Sequence, residues 1–207
     1  MLVAALVFAG VAALVNVTPG LDTLLVVRTS VAGGRVRGRA AALGILTGCA
    51  VWGVAAVVGL TALLAASHLA YEVLKVAGAG YLAWLGVTTL WRARHPAPAM
   101  PEPATPEPAG RFAAFRAGVA TNLLNPKAGV FYLSLIPQFL PHDAHLGGTV
   151  LFTAIDLVEL ALWYWIVSRA AAALADRIRR PAFRRRMEQA SGVAFLGFAV
   201  NLLVEEA

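Results

Sequence analysis

The chain has 207 residues, of which 59% are hydrophobic and only 14% charged, against roughly 45–50% and 25% in soluble domains. Its mean hydropathy is +0.73, and it carries a single cysteine and a formal net charge of +6. This composition excludes a disordered chain, a disulfide scaffold and an ordinary cytosolic enzyme, and leaves an integral membrane protein.

Six apolar runs follow in chain order, at about 2–27, 40–65, 69–90, 117–140, 148–170 and 191–204. Most are near the length of about 20 residues that a spanning helix needs. The sixth is short, and Met187 extends it. No Lys or Arg lies between Met1 and Ala13, and the first run continues to Val27, so it reads as a retained helix and not a cleaved signal. All Lys and Arg other than Lys75 and Lys127 fall in three connecting stretches: Arg28 to Arg39, Arg92 to Arg116, and Arg169 to Arg186. The positive-inside rule puts those stretches in the cytoplasm and both termini outside. The basic balance therefore points to anionic headgroups, and nucleic acid is not an expected partner.

The longest connection, HPAPAMPEPATPEPAG from His95 to Gly110, holds six of the 11 prolines. Such a segment is a semi-rigid polyproline spacer. It divides the chain into a first half (1–95), a linker (96–110) and a second half (111–207). Three spans on each side run in opposite senses. The expected fold is thus an all-α integral membrane protein with six transmembrane helices arranged as a 3+3 inverted-topology repeat.

Polar residues inside apolar runs mark the candidate site, because an ionisable side chain in a span is costly and faces protein or water. Run one contains Thr18, Pro19, Gly20 and Asp22, where proline and glycine interrupt the helix. A half-helix starting there offers N–H groups to an anion such as a carboxylate. Run four contains Asn122, Asn125, Pro126 and Lys127, a second proline break flanked by amides and an ammonium; Lys127 is expected to pair with a buried carboxylate. Run five contains Asp156 and Glu159, three apart and so on one helix face. Two close carboxylates in a poorly solvated place rarely both ionise, which suits a proton carrier. Ala40, Gly44 and Gly48 recur every fourth position in run two, a spacing for close helix contact. The aromatic triplet Trp163-Tyr164-Trp165 could line a pocket, but reads rather as packing or an interfacial belt. No His, Cys or carboxylate grouping has metal-ligand spacing.

Taken together, these segments resemble the LysE/RhtB family of bacterial amino-acid exporters. TPGLDTLLVV in run one is similar to that family's TPGP-(N/D)-x-L signature, LKVAGAGYLAWLG to its third-span pattern, and NLLNPKAGVFYLSLIPQF to its fourth-span segment. Leu21 replaces the second proline of the signature, Glu159 is an added acid, and the proline-rich loop is an elaboration of this chain.

The resemblance implies a secondary exporter of amino acids or related small amine-bearing metabolites in the bacterial inner membrane, driven by proton exchange. Thr18, Pro19, Gly20, Asp22, Asn122, Asn125, Pro126 and Lys127 are the expected substrate-binding residues, and Asp22, Asp156 and Glu159 the expected proton-coupling ones. The expected partners are the amino-acid substrate and membrane lipids, with a homo-oligomer allowed and no cofactor. A non-transporting scaffold docking partners through the proline-rich loop is the competing reading. No HExxH, GxSxG or Walker sequence is present, so neither enzyme chemistry nor ATP drive is expected.

Overall fold

The computed structural model describes residues 2–18, 20–66, 86–91, 110–139, 145–171 and 180–204, with single positions between 73 and 94 and at 173. Pro19, most of the third run and the linker 96–109 lie outside the described residues. All regular elements among the described residues are helical. They are α1 (Leu2–Val17), α2 (Leu21–Ala66), α3 (Arg111–Leu123), α4 (Pro126–Val130), a π-helical turn (Phe131–Leu135), α5 (Ile136–Gln138), α6 (His145–Arg169) and α7 (Pro181–Val204).

The first apolar run is not one helix. It stops at Val17 and restarts at Leu21, close to the TPG sequence. The arginine-rich stretch expected to be a loop is helical on both sides of a single corner, Gly34 (φ 77°, ψ 169°). Positive φ costs an L-residue roughly 1–2 kcal/mol, so glycine is the natural occupant. The chain folds back there. A Cβ built on Gly38 would lie 3.2 Å from the Cα of Ser30, whereas eight residues of straight helix would separate them by about 12 Å. α7 also differs from expectation: it begins at Pro181, ten residues before the predicted start, and takes the basic cluster into its first turns.

The long second arm of α2 packs against α3 and α6. Its approach to α3 is backbone to backbone. A Cβ at Gly44 would lie 2.9 Å from the amide nitrogen of Val119, and one at Gly118 would lie 3.0 Å from that of Ile45. Gly48 lies against Asn122. The small-residue repeat of run two is therefore the close contact its spacing suggests. Gly44 lies between Phe115 and Val119, and Gly48 and Cys49 lie at Asn122, so the two helices run the same way. α1 and α6 also run the same way, since Phe8 stacks on Phe152 at 4.8 Å and Asn16 bonds Asp156. Residues 86–90 and α7 run oppositely, with Gly86 against Leu196 and Leu90 against Gly192.

The radial distribution of polarity is inverted relative to a soluble domain. α6 exposes Leu146, Val150, Val158, Leu162 and Ile166 while burying Thr149, Asp156 and Ser168. Leu2, Val3, Val54, Val58 and Val193 are likewise exposed. Apolar outside and polar inside is the arrangement that suits hydrocarbon surroundings. Among the described residues two helices, Leu21–Gly59 and Leu146–Arg169, are long and apolar enough to cross a membrane, and Leu2–Val17 is a shorter apolar helix.

Candidate functional site

The site is built where two interrupted helices meet. Every helix end leaves backbone groups without intrahelical partners, and here each break is satisfied partly by the other. At the end of α1, the Thr18 hydroxyl donates to the Leu14 carbonyl at 2.8 Å. The Lys127 ammonium, from the first turn of α4, donates to the Val15 carbonyl at 2.7 Å and reaches the Thr18 carbonyl at 3.5 Å. A cation at a helix C-terminus also meets the negative end of its dipole.

In return, Asp22 in the first turn of α2 reaches the second break. Its Oδ2 accepts from Asn122 Nδ2 at 3.0 Å, at the end of α3, and from Asn125 Nδ2 at 3.2 Å. Asn125 is the N-cap of α4, its Oδ1 accepting from the Lys127 amide at 3.1 Å, and Pro126 takes the first helical position. The half-helix start is therefore capped from within.

Asp156 lies on α6 across the same space, 1% exposed. Asn16 Nδ2 donates to its Oδ1 at 2.8 Å, and the Tyr132 hydroxyl donates to its Oδ2 at 2.5 Å. Tyr132 stands on the π-helical turn, which widens the helix by one residue and so resets the direction of its side chains. One carboxylate thus ties α1, α6 and the π-turn together.

These groups line a cavity of about 50 Å³. Thr18, Gly20, Asp22, Asn122, Asn125, Lys127 and Asp156 border it, with Val15, Asn16, Thr23, Cys49, Phe131, Tyr132, Leu160 and Tyr164 among the rest. At about 10–15 Å³ per water, the space holds a few waters and is too small for the heavy atoms of leucine. The cavity is partly open and not sealed. Two buried lining atoms lack a hydrogen-bond partner, Asp22 Oδ1 and Asn122 Oδ1.

The structure thus gathers most of the sequence-selected residues, with three differences. Lys127 bonds backbone carbonyls at the broken end of α1, and not a carboxylate as expected. Glu159 is outside the lining; it sits one turn along α6, half-buried, with Oε2 unpartnered. Pro126 is also outside it. Pro19 lies outside the described residues. Asn16 and Tyr132 escaped the sequence reading, which assigns Tyr164 to packing or a belt. Asn16 carries a usable signal, a lone amide two residues before the break in an otherwise apolar helix. Of the aromatic triplet, Tyr164 lines the cavity, while Trp165 is exposed under the Arg169 guanidinium at 4.0 Å. Among the described residues no group of His, Cys, Asp and Glu is arranged to hold a metal.

Comparison with known proteins gives a consistent result. The family model described as LysE type translocator matches residues 13–206. An uncharacterised membrane protein of Bacillus subtilis (strain 168) is 27% identical over 95% of this chain and 96% of its own length. A homoserine/homoserine lactone efflux protein of Salmonella typhi is 32% identical over 88% of this chain and 87% of its own. A leucine efflux protein of an Enterobacter species (strain 638) is 28% identical, with 89% and 87% covered. No solved structure matches the chain.

Proposed function

The chain belongs to the LysE type translocator family, and from that premise we propose that it is a proton-driven secondary exporter of amino acids or related small amine-bearing metabolites in a bacterial inner membrane. The observation that carries the reading is the small cavity between two stitched helix breaks, lined by two carboxylates and one ammonium. Relatives named for efflux of homoserine, homoserine lactone and leucine support the substrate class.

In this reading the substrate ammonium docks against Asp22, with Thr18 and Gly20 forming one rim and Asn122, Asn125 and Lys127 the other. Asp156 carries the proton. A carboxylate accepts from Asn16 and Tyr132 at once, but a proton on Oδ2 reverses the second bond: the acid then donates, and the Tyr132 hydroxyl turns its own proton elsewhere. Protonation therefore reorients the tie between α6 and the π-turn and couples proton movement to opening. Glu159, one turn further along α6, extends the proton path. The cavity widens on opening to admit the substrate.

The proposed architecture is six spans in two inverted halves, 1–95 and 111–207 joined by 96–110, with both termini outside. The helix directions support it. Exchanging the two halves turns the parallel pair of second and fourth spans into the fifth and first, which are also parallel. The third and sixth spans exchange with each other, and they are antiparallel, as an inverted repeat requires.

The test is efflux from proteoliposomes loaded in turn with labelled leucine, threonine and homoserine under an imposed pH gradient. Gradient-dependent release of at least one, lost in Asp156→Asn, is the expected result. No gradient-dependent release of any of the three, or equal release by Asp156→Asn, would contradict the reading.

A further inference from the structure

The cavity's chemistry narrows the substrate further, granted the exporter reading above. Both unpartnered buried side-chain atoms in its described lining are acceptors, Asp22 Oδ1 and Asn122 Oδ1. Asn122 is 1% exposed and its amide orientation is set on the donor side, where Nδ2 serves both Asp22 at 3.0 Å and the Cys49 sulfur at 3.2 Å. Its oxygen lies against Gly48, 2.5 Å from where a Cβ there would stand, so the acceptor left for a ligand is Asp22 Oδ1. A desolvated carboxylate oxygen without a partner is costly, and it asks for a group that only donates. An ammonium has three donors and no lone pair.

A substrate carboxylate finds no matching provision. The cation in the described lining, Lys127, is turned to the carbonyls at the end of α1. Asp22 puts a carboxylate in the first turn of α2, which repels another anion there, and the α4 N-cap bond is closed by Asn125. A carboxylate placed in this cavity would also face the negative groups of Asp22 and Asp156.

We infer that the cavity recognises its substrate through the ammonium group and makes no demand on a carboxylate, so that amines whose carboxylate is masked as an amide share the site with the parent amino acids. Side-chain fit then selects among amines, and the anionic end of an amino acid is accommodated away from Asp22 and Asn122.

The experiment uses full-length protein in proteoliposomes at about pH 6, below the α-amino range of about 7.7–8.0, so that every amine tested is charged. Counterflow of labelled leucine, threonine or homoserine, whichever moves, is measured against three unlabelled competitors: the same amino acid, its primary amide, and the α-hydroxy acid that keeps the carboxylate and lacks the amine. The amide is expected to compete within about fivefold of the parent, and the hydroxy acid at least about tenfold more weakly. Asp22→Asn is expected to weaken parent and amide alike. An amide more than about fivefold weaker than its parent, or a hydroxy acid that competes as well as the parent, overturns the inference and leaves the exporter reading standing. If none of the three amino acids moves or competes, the exporter reading itself fails, and the inference with it.

Discussion

Asp22 and Asp156 are buried acids facing one cavity, yet their surroundings differ. Asp156 has a donor on each oxygen, and those donors come from α1 and the π-turn. Asp22 has two donors on one oxygen and none on the other. A saturated carboxylate holds structure together and changes it when protonated. A half-satisfied one is poised to take a ligand. In the proposed reading the same residue type thus does two jobs, and the hydrogen-bond count separates them.

The largest effect expected from breaking this contrast is in Asp156→Asn. The amide cannot carry a proton, and it replaces one acceptor oxygen with a donating NH2, so the Tyr132 bond persists only with the hydroxyl oxygen as acceptor. Gradient-driven efflux is expected to fall by at least about 100-fold, while counterflow, which needs no net proton movement, persists. Comparing the two assays checks the split; loss of both to the same degree would make Asp156 a substrate ligand instead. Tyr132→Phe sharpens the comparison from the other side. It removes one donor and little volume, so the expected loss is about 1.5–3 kcal/mol of that charged hydrogen bond, read as roughly a tenfold or larger drop in gradient-driven efflux. Asn16→Leu is expected to act in the same direction.

Smaller effects belong to the frame around the acids. Gly44→Leu or Gly118→Leu forces side-chain atoms into the facing backbone. About 1–3 kcal/mol of destabilisation is expected, seen as a lower unfolding temperature in detergent with little change in the relative rates for different substrates. Gly34→Ala should cost about 1–2 kcal/mol through its positive φ alone, since a Cβ there meets nothing within 4 Å. A loss at Gly34 as large as at Gly44 would contradict the reading of it as a corner without close contacts.

Much of this arrangement was legible before the structure, because polarity inside an apolar run is expensive and therefore conspicuous. Asp22, Asn122, Asn125, Lys127 and Asp156 stand out for that reason, and they face one cavity. The small-residue repeat of run two likewise announces its contact with α3. What the sequence hid falls into two physical classes. Tyr132 and Tyr164 are amphipathic, and a tyrosine in an apolar helix looks the same whether its hydroxyl is wasted or bonded; only the π-turn aims Tyr132 at Asp156. The partner of Lys127 was misjudged because charge opposition is visible in a sequence and open backbone carbonyls are not. A broken helix end offers several such carbonyls, and the Val15 carbonyl takes the ammonium. The expected loop of arginines between the first two runs failed for a related reason. Arginine is a good helix former, and a single glycine suffices to turn the chain.

The most direct measurement is equilibrium binding of a labelled transported amino acid to the purified protein, in detergent, for the wild type, Asp22→Asn and Asp156→Asn side by side. The account predicts that Asp22→Asn weakens binding by about 10–100-fold, the worth of a charge-assisted hydrogen bond, while Asp156→Asn binds within a few-fold of wild type. Wild-type affinity in Asp22→Asn, or equal losses in the two variants, would contradict the division between a substrate acid and a coupling acid.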